Sequence, residues 1–95
     1  MIHRKDLNQQ AIVDALRAIG VSVYVVGRPA DLLLGFKSFR TGALHTLLVE
    51  IKQAGRMTHK NKMTPAQTRF LRDWNGQYDV IYTVDEALEL VKKYC

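Results

Sequence analysis

The sequence feature that most constrains the fold is the apolar run Thr46-Leu47-Leu48-Val49-Glu50-Ile51-Lys52. Branched apolar residues over this length are typical of a buried strand. Because strand side chains alternate between faces, Val49 and Ile51 share one face while Glu50 and Lys52 share the other. Burying a charge is costly unless the charge is paired or bound to a metal. The run therefore predicts either an ion pair at a strand end or a metal-ligand carboxylate beside a catalytic lysine.

The composition limits what the rest of the chain can do. Its 95 residues are enough for one small domain, residues 1–95, and 47% of them are hydrophobic. The net charge of +5 favours a polyanionic partner such as nucleic acid. The single cysteine, Cys95, excludes a disulfide framework and a cysteine-based zinc site. Without a signal-peptide pattern or an apolar run that could cross a bilayer, we expect a cytoplasmic protein with no membrane association.

The hydrophobic periodicity predicts three helices and four strands in the order α-β-β-β-α-β-α. Two Thr-x-x-Gln/Glu sequences, at Thr64 and Thr83, predict capping boxes that open the second and third helices. Asp6 is the predicted N-cap of the first helix and Gly20 its predicted stop. Because a helix connects the third and fourth strands, the fourth should run parallel to a neighbour. The predicted strands are Val21–Val26, Asp31–Phe36, Thr46–Lys52 and Val80–Tyr82.

Asp31 becomes a second candidate ligand because of where a hairpin would place it. The short loop between the second and third predicted strands favours an antiparallel hairpin. If the hairpin is symmetric about Arg40 and Thr41, Asp31 lies opposite Glu50, with Cβ atoms roughly 5 Å apart. Two carboxylates this close repel unless a cation lies between them or one is protonated. Carboxylates completed by water are typical ligands of Mg²⁺. The alternative is a turn aspartate after proline, which is common.

A basic segment, residues 53–63, follows the central strand and carries Arg56, Lys60 and Lys62. Connections of this length in a small domain are usually functional or disordered. The segment is either a solvated charge run or a surface that holds the DNA backbone without reading bases. Arg28 and Arg69 are further candidates for nucleic-acid contacts.

Six short motifs follow one another along nearly the whole chain. They are Asp6-Leu7-Asn8-Gln9, Pro29-Ala30-Asp31, Leu32-Leu33-Leu34-Gly35, Glu50-Ile51-Lys52, Met63-Thr64-Pro65-Ala66-Gln67 and Val84-Asp85-Glu86-Ala87-Leu88. Their order and spacing resemble the PD-(D/E)xK nuclease superfamily, and within it the small VRR-NUC-type, Holliday-junction-resolvase-like nucleases of phages and prophages. The resemblance implies a restriction-endonuclease-like core. That core is an α/β (mixed α+β) fold whose mixed four-stranded sheet is flanked by helices.

The resemblance also implies the residues of a catalytic site. Asp31 and Glu50 would be metal ligands, with the Ile51 carbonyl as a third candidate. Lys52 would position or activate the attacking water, and Gln67 would belong to the same site. The implied cofactor is Mg²⁺ or Mn²⁺ and the implied substrate is DNA.

The sequence departs from the family pattern at two positions. Ala30 separates Pro29 from Asp31, where the family has adjacent proline and aspartate, but the aspartate is kept. The first helix of the family often provides a glutamate near Ala11, whereas here the nearest following carboxylate is Asp14, about one turn further on. This second departure leaves open whether the site takes one metal ion or two.

We therefore predict a metal-dependent DNA endonuclease. Selectivity for branched or nicked DNA is one option, and the sequence leaves the preferred DNA structure open. Because one small site cannot easily cut both strands of a duplex, we expect a homodimer. A phage or prophage origin within a bacterial cell is implied by the resemblance alone. Two alternatives stay open: a catalytically silent nucleic-acid-binding module on the same fold, and an interaction protein in which Glu50 and Lys52 merely pair.

Overall fold

The computed structural model of the protein describes residues 4–52 and 64–95. The elements follow the predicted order α-β-β-β-α-β-α. They are α1 (Arg4–Ala18), β1 (Ser22–Val25), β2 (Leu32–Lys37), β3 (Leu44–Ile51), α2 (Pro65–Asp73), β4 (Tyr78–Ile81) and α3 (Val84–Tyr94).

The four strands form one mixed sheet in the spatial order β1-β2-β3-β4. Strand β2 runs antiparallel to both β1 and β3, and β4 runs parallel to β3, as predicted. In the β2–β3 hairpin Leu32 pairs with Val49, which is the predicted symmetric register. Continuing this register by one residue sets Asp31 opposite Glu50 at the end of the ladder.

The hydrophobic core lies between one face of the sheet and helices α1 and α3. Alternation along β2 and β3 sends every second side chain to this face, and α1 and α3 add apolar residues at helical spacing. Burying each large side chain contributes roughly 1.5–3 kcal/mol. The largest fully buried side chains are Ile12, Leu16, Leu32, Leu34, Leu47, Val49 and Ile51.

Strand β3 divides its side chains between two environments. Val49 and Ile51 belong to the hydrophobic core. Glu50 and Lys52 are also buried, but they point to the opposite face, where Glu50 meets Gln67 of α2. One face of the strand therefore packs in the hydrophobic core, and the other face carries charged groups.

Helix α1 ends as the sequence predicts but begins earlier. Gly20 has φ of 92°, a left-handed conformation that glycine adopts at little cost. The Gly20 N–H donates to Arg17 O at 3.0 Å and the Val21 N–H donates to Leu16 O at 3.1 Å, which is a Schellman ending. The predicted N-cap at Asp6 is wrong, because α1 begins at Arg4 and Asp6 lies inside the helix.

Helix α2 begins with the predicted capping box. The Gln67 N–H donates to Thr64 Oγ1 at 3.1 Å, and the Thr64 N–H donates to Gln67 Oε1 at 3.0 Å. Pro65 occupies the first turn, where its missing N–H costs nothing. No side chain of α2 is fully buried, so this helix covers the second face of the sheet only in part.

Helix α3 has only half of its predicted capping box. The Glu86 N–H donates to Thr83 Oγ1 at 3.1 Å, as expected. The Glu86 carboxylate, however, accepts from the Tyr82 N–H at 2.8 Å and not from the Thr83 N–H. It therefore satisfies a donor just beyond the end of β4, one residue earlier than the motif predicts. None of the described helices is long and apolar enough to cross a membrane.

Candidate active site

The turn between β1 and β2 places Asp31 at the edge of the site. Gly27 has φ of 81°, and the N–H groups of Val26 and Gly27 both donate to the Asp31 carbonyl, at 3.0 and 3.3 Å. Asp31 is 9% exposed. Its Oδ2 accepts a hydrogen bond from the Ile51 N–H at 2.8 Å. The carboxylate is therefore fixed against β3, next to the residue that follows Glu50.

Glu50 is 4% exposed, and two polar groups contact the same oxygen of its carboxylate. Gln67 Nε2 donates to Glu50 Oε2 at 2.8 Å, and Lys52 Nζ lies 3.5 Å from that oxygen. Within the described residues, neither contact uses Oε1. The carboxylate is held in one orientation by Oε2, and Oε1 keeps its lone pairs for another ligand.

The amide of Gln67 serves the helix and the site at the same time. Its oxygen accepts from the Thr64 N–H in the capping box, and its nitrogen donates to Glu50. An amide has both an acceptor and a donor end, so the two roles do not compete. Gln67 therefore caps α2 and contacts Glu50 at the same time. The start of α2 is joined directly to the carboxylate of Glu50.

Lys52 lies at the end of β3, where its backbone extends the parallel ladder. Its N–H donates to Ile81 O at 2.9 Å, which fixes the base of the side chain. Its side chain is 7% exposed, so the ammonium is held close to Glu50. Asp31, Glu50 and Lys52 are thus brought together at one end of the sheet, two carboxylates with one ammonium.

The donor set at this end of the sheet suits a hard divalent cation. Among residues 4–52 and 64–95, no group of three or more histidine, cysteine, aspartate or glutamate side chains is arranged to hold a metal ion. Two carboxylates and a backbone carbonyl at Ile51 fit Mg²⁺ or Mn²⁺, since Mg²⁺ commonly takes one or two carboxylates and keeps several waters. Two buried carboxylates this close together repel each other, and a cation held between them would relieve that repulsion.

Tyr78 lies near this group, although no motif in the sequence singles it out. It begins β4, where it pairs in parallel with Leu48, two residues before Glu50. Its ring packs against Phe70 of α2, with ring centroids 6.3 Å apart. Burial, followed by the negative charges of Glu50 and Asp31, raises the pKa of Tyr78 to about 12. The parallel register of β4 is the signal that could have found it, because it sets Tyr78 on the face that carries Glu50.

The predicted nucleic-acid contacts are only partly brought to the site. Arg28 is exposed and lines a cleft of about 610 Å³ together with Gly27, Pro29, Thr64, Ala66 and Gln67. Arg69 is exposed on α2, but a residue two positions after Gln67 lies on a different side of the helix. Arg56, Lys60 and Lys62 lie outside the described residues.

The first helix adds no visible carboxylate at the position where the resemblance expects one. Ala11 is exposed. Asp14 is exposed as well, and it accepts a hydrogen bond from Gln10 Nε2 of the same helix at 2.8 Å. Neither residue contributes a buried acid beside Glu50.

Comparison with known proteins supports the fold. No protein-family model matches the chain, and no curated protein matches it. Among solved structures, a chain described as "VRR_NUC domain" aligns with a TM-score of 0.65 and 21% sequence identity, over 99% of this chain and 100% of that one. The protein therefore has the fold of a VRR_NUC domain, which is the fold that the motifs predict. At this identity the likeness concerns the fold, and what the protein does must be argued from its own residues.

Proposed function

We propose that the protein is a metal-dependent endonuclease that hydrolyses phosphodiester bonds in DNA, with a preference for branched or nicked substrates. The observation that carries the proposal is the meeting of Asp31, Glu50 and Lys52 at one end of the sheet, with Gln67 orienting Glu50. Buried charges of this kind are costly to a fold, so their grouping needs a reason beyond stability.

Each residue of the group has a role in this proposal. Asp31, Glu50 and the Ile51 carbonyl would hold a divalent cation, which supplies positive charge to the phosphoryl oxygens. Gln67 fixes the Glu50 carboxylate, so that its second oxygen faces away from the amide. The Lys52 ammonium donates hydrogen bonds, so it can hold and orient the attacking water.

The cleft beside Gln67 is the proposed entry for the substrate backbone. Arg28 lines it, and a guanidinium recognises phosphate through paired hydrogen bonds. Arg69, together with Arg56, Lys60 and Lys62 of the basic segment, would add phosphate contacts that do not depend on base sequence. The homodimer and the location in the cytoplasm of a bacterial host stay predictions from the sequence.

The direct test is plasmid nicking with and without Mg²⁺ or Mn²⁺. We expect nicking that requires the cation and that is lost in Asp31→Asn and in Glu50→Gln, both of which keep side-chain shape. Asp14→Asn is the matched control, since it neutralises an exposed carboxylate of α1 and should nick like the parent. Metal-independent nicking, or normal nicking by either site variant, would show that the site is assigned wrongly.

The same experiment separates the alternative of a silent binding module. The Lys52–Glu50 ion pair favours this alternative, because the two opposite charges can neutralise each other without taking part in catalysis. A silent module would retard DNA in a gel without nicking it under any metal. It would also bind DNA equally well after Glu50→Gln.

A further inference from the structure

The feature that the proposed mechanism leaves unused is the hydroxyl of Tyr78. This atom is shielded from solvent, and it has no hydrogen-bond partner within the described part of the chain. A buried hydroxyl without a partner is unfavourable, and phenylalanine would fill the same space without that cost. Among residues 4–52 and 64–95 the Tyr78 hydroxyl is therefore unsatisfied, and a hydrogen-bond partner would remove that cost.

The register of the sheet places Tyr78 on the face that carries the Glu50 carboxylate. Tyr78 lies beside Leu48, and its side chain shares the sheet face of Leu48 and Glu50. Two residues along a strand span roughly 6.6 Å, a distance that a tyrosine side chain leaning along the strand covers. Contact with Phe70 holds the ring from the α2 side, so the hydroxyl has little freedom to turn elsewhere.

The charges around this hydroxyl favour one hydrogen-bonding role. Glu50 and Asp31 both act on it electrostatically, and both disfavour the loss of its proton. A neutral phenol near two negative groups donates its hydrogen toward them or toward a water that they bind. The hydroxyl is therefore a donor directed at the carboxylate pair.

We propose that Tyr78 is a positioning residue of the candidate active site, whose hydroxyl donates a hydrogen bond to a water molecule held with a divalent cation by Asp31 and Glu50. The inference rests on the proposed function, because it needs a cation at these carboxylates. It adds a residue from β4 to a site otherwise built from β2, β3 and α2. Groups that hold the ligands of a metal in this way typically change its affinity by about 10–100-fold when they are removed.

The test compares Tyr78→Phe with the wild-type protein in two measurements. In metal-free buffer we expect the Tm of Tyr78→Phe to equal or exceed that of the wild type, because a buried unpaired hydroxyl has been removed. In calorimetric titration with Mn²⁺ we expect about tenfold weaker binding. A purely structural tyrosine would give the first result without the second. Tyr24→Phe, which alters a tyrosine that is 68% exposed on β1, should change neither quantity.

A second measurement on the unaltered protein keeps the proposal testable if the variant folds poorly. In protein carrying ¹³Cζ-tyrosine, the Tyr78 resonance should shift when Mg²⁺ is added, and the Tyr24 resonance should not. Equal Mn²⁺ affinity in Tyr78→Phe and wild type, or a Tyr78 resonance that ignores Mg²⁺ while the protein binds it, would overturn the assignment and leave the proposed function standing. A wild-type protein that binds neither cation would overturn both.

Discussion

Replacing Gln67 by glutamate separates what the structure shows from what the helix motif alone implies. Glutamate also satisfies a capping box and suits the positive end of a helix, which by itself adds about 0.3–1 kcal/mol of stability. In the structure, however, the amide nitrogen of Gln67 donates to Glu50 Oε2 at 2.8 Å. A carboxylate cannot donate this bond, and it would place a second negative charge against the first. We therefore expect Gln67→Glu to destabilise the protein near neutral pH.

The size of the effect follows from one hydrogen bond that is removed and one charge that is added. A hydrogen bond to a charged group is worth about 1.5–3 kcal/mol. Two like charges about 4 Å apart repel by about 4 kcal/mol at an effective dielectric constant of 20. Gln67 is half-buried, so solvent screening and a rotation of the new side chain remove much of the repulsion. Allowing for this relief and for the helix-end gain, we expect a loss of about 2–4 kcal/mol of unfolding free energy.

The destabilisation by Gln67→Glu should depend on pH, and its direction can be worked out. The folded variant binds a proton between its two carboxylates more readily than the unfolded chain does, where the carboxyls titrate near pH 4.3. The destabilisation is therefore complete at pH 7–8 and shrinks as the pH falls toward about 5. The measurement is urea unfolding in EDTA at both ends of this range.

Two control variants make the result specific to Glu50. Gln67→Met loses both amide bonds without adding charge, and it should show a smaller loss with little pH dependence between pH 5 and 8. Thr83→Ala removes the corresponding cap of α3 and should cost about 1 kcal/mol at either pH. If Gln67→Glu unfolds at the wild-type urea concentration at pH 8, the contact between Gln67 and Glu50 does not hold the site together and the reasoning fails.

Three further predictions follow from other parts of the site. Lys52→Met should abolish nicking while DNA binding, measured by fluorescence anisotropy, stays close to wild type; a large loss of affinity with residual cleavage per complex would contradict a role on the water. Neutralising Lys60 and Lys62 should reduce the slope of log binding constant against log salt concentration by about one unit for each phosphate group that the protein no longer binds. An unchanged slope would show that the basic segment is a solvated charge run that does not contact DNA. In metal-free protein, Tyr78 should hold its proton to about pH 12, whereas the unfolded chain releases it near pH 10. The unfolding free energy of the wild type should therefore fall as the pH rises from 10 to 12. Absorbance titration should show one tyrosine that titrates later than the others and that Tyr78→Phe removes.

The backbone of the site could be predicted because local signals fix it. A symmetric hairpin places Asp31 opposite Glu50, and the structure has that register, with Leu32 paired to Val49. A one-residue slip would have moved Asp31 to the core face, so the alternation of apolar residues specifies the pairing strongly. The start of α2 is equally local, since Thr64 and Gln67 meet within one turn.

The contacts that tie these elements together could not be predicted in the same way. Nothing local indicates that the free end of the Gln67 amide reaches Glu50, 17 residues earlier in the chain. Similarly, the Glu86 carboxylate accepts from the Tyr82 N–H because β4 ends there, which depends on strand length and not on the motif. No motif in the sequence singles out Tyr78, because the surroundings of its hydroxyl depend on charges that lie at two other strands.

Because α2 is only partly buried, local unfolding of this helix and loss of the Gln67–Glu50 contact should occur together. No side chain of this helix is fully buried, whereas β3 lies in the centre of the core. Segments with few buried apolar contacts open at a small fraction of the global unfolding free energy. Each opening of the first turn of α2 breaks the bond from Gln67 and frees the carboxylate of Glu50 to rotate. If the DNA of the proposed function binds across this helix, it would suppress that opening and raise the fraction of molecules in which Gln67 holds the Glu50 carboxylate.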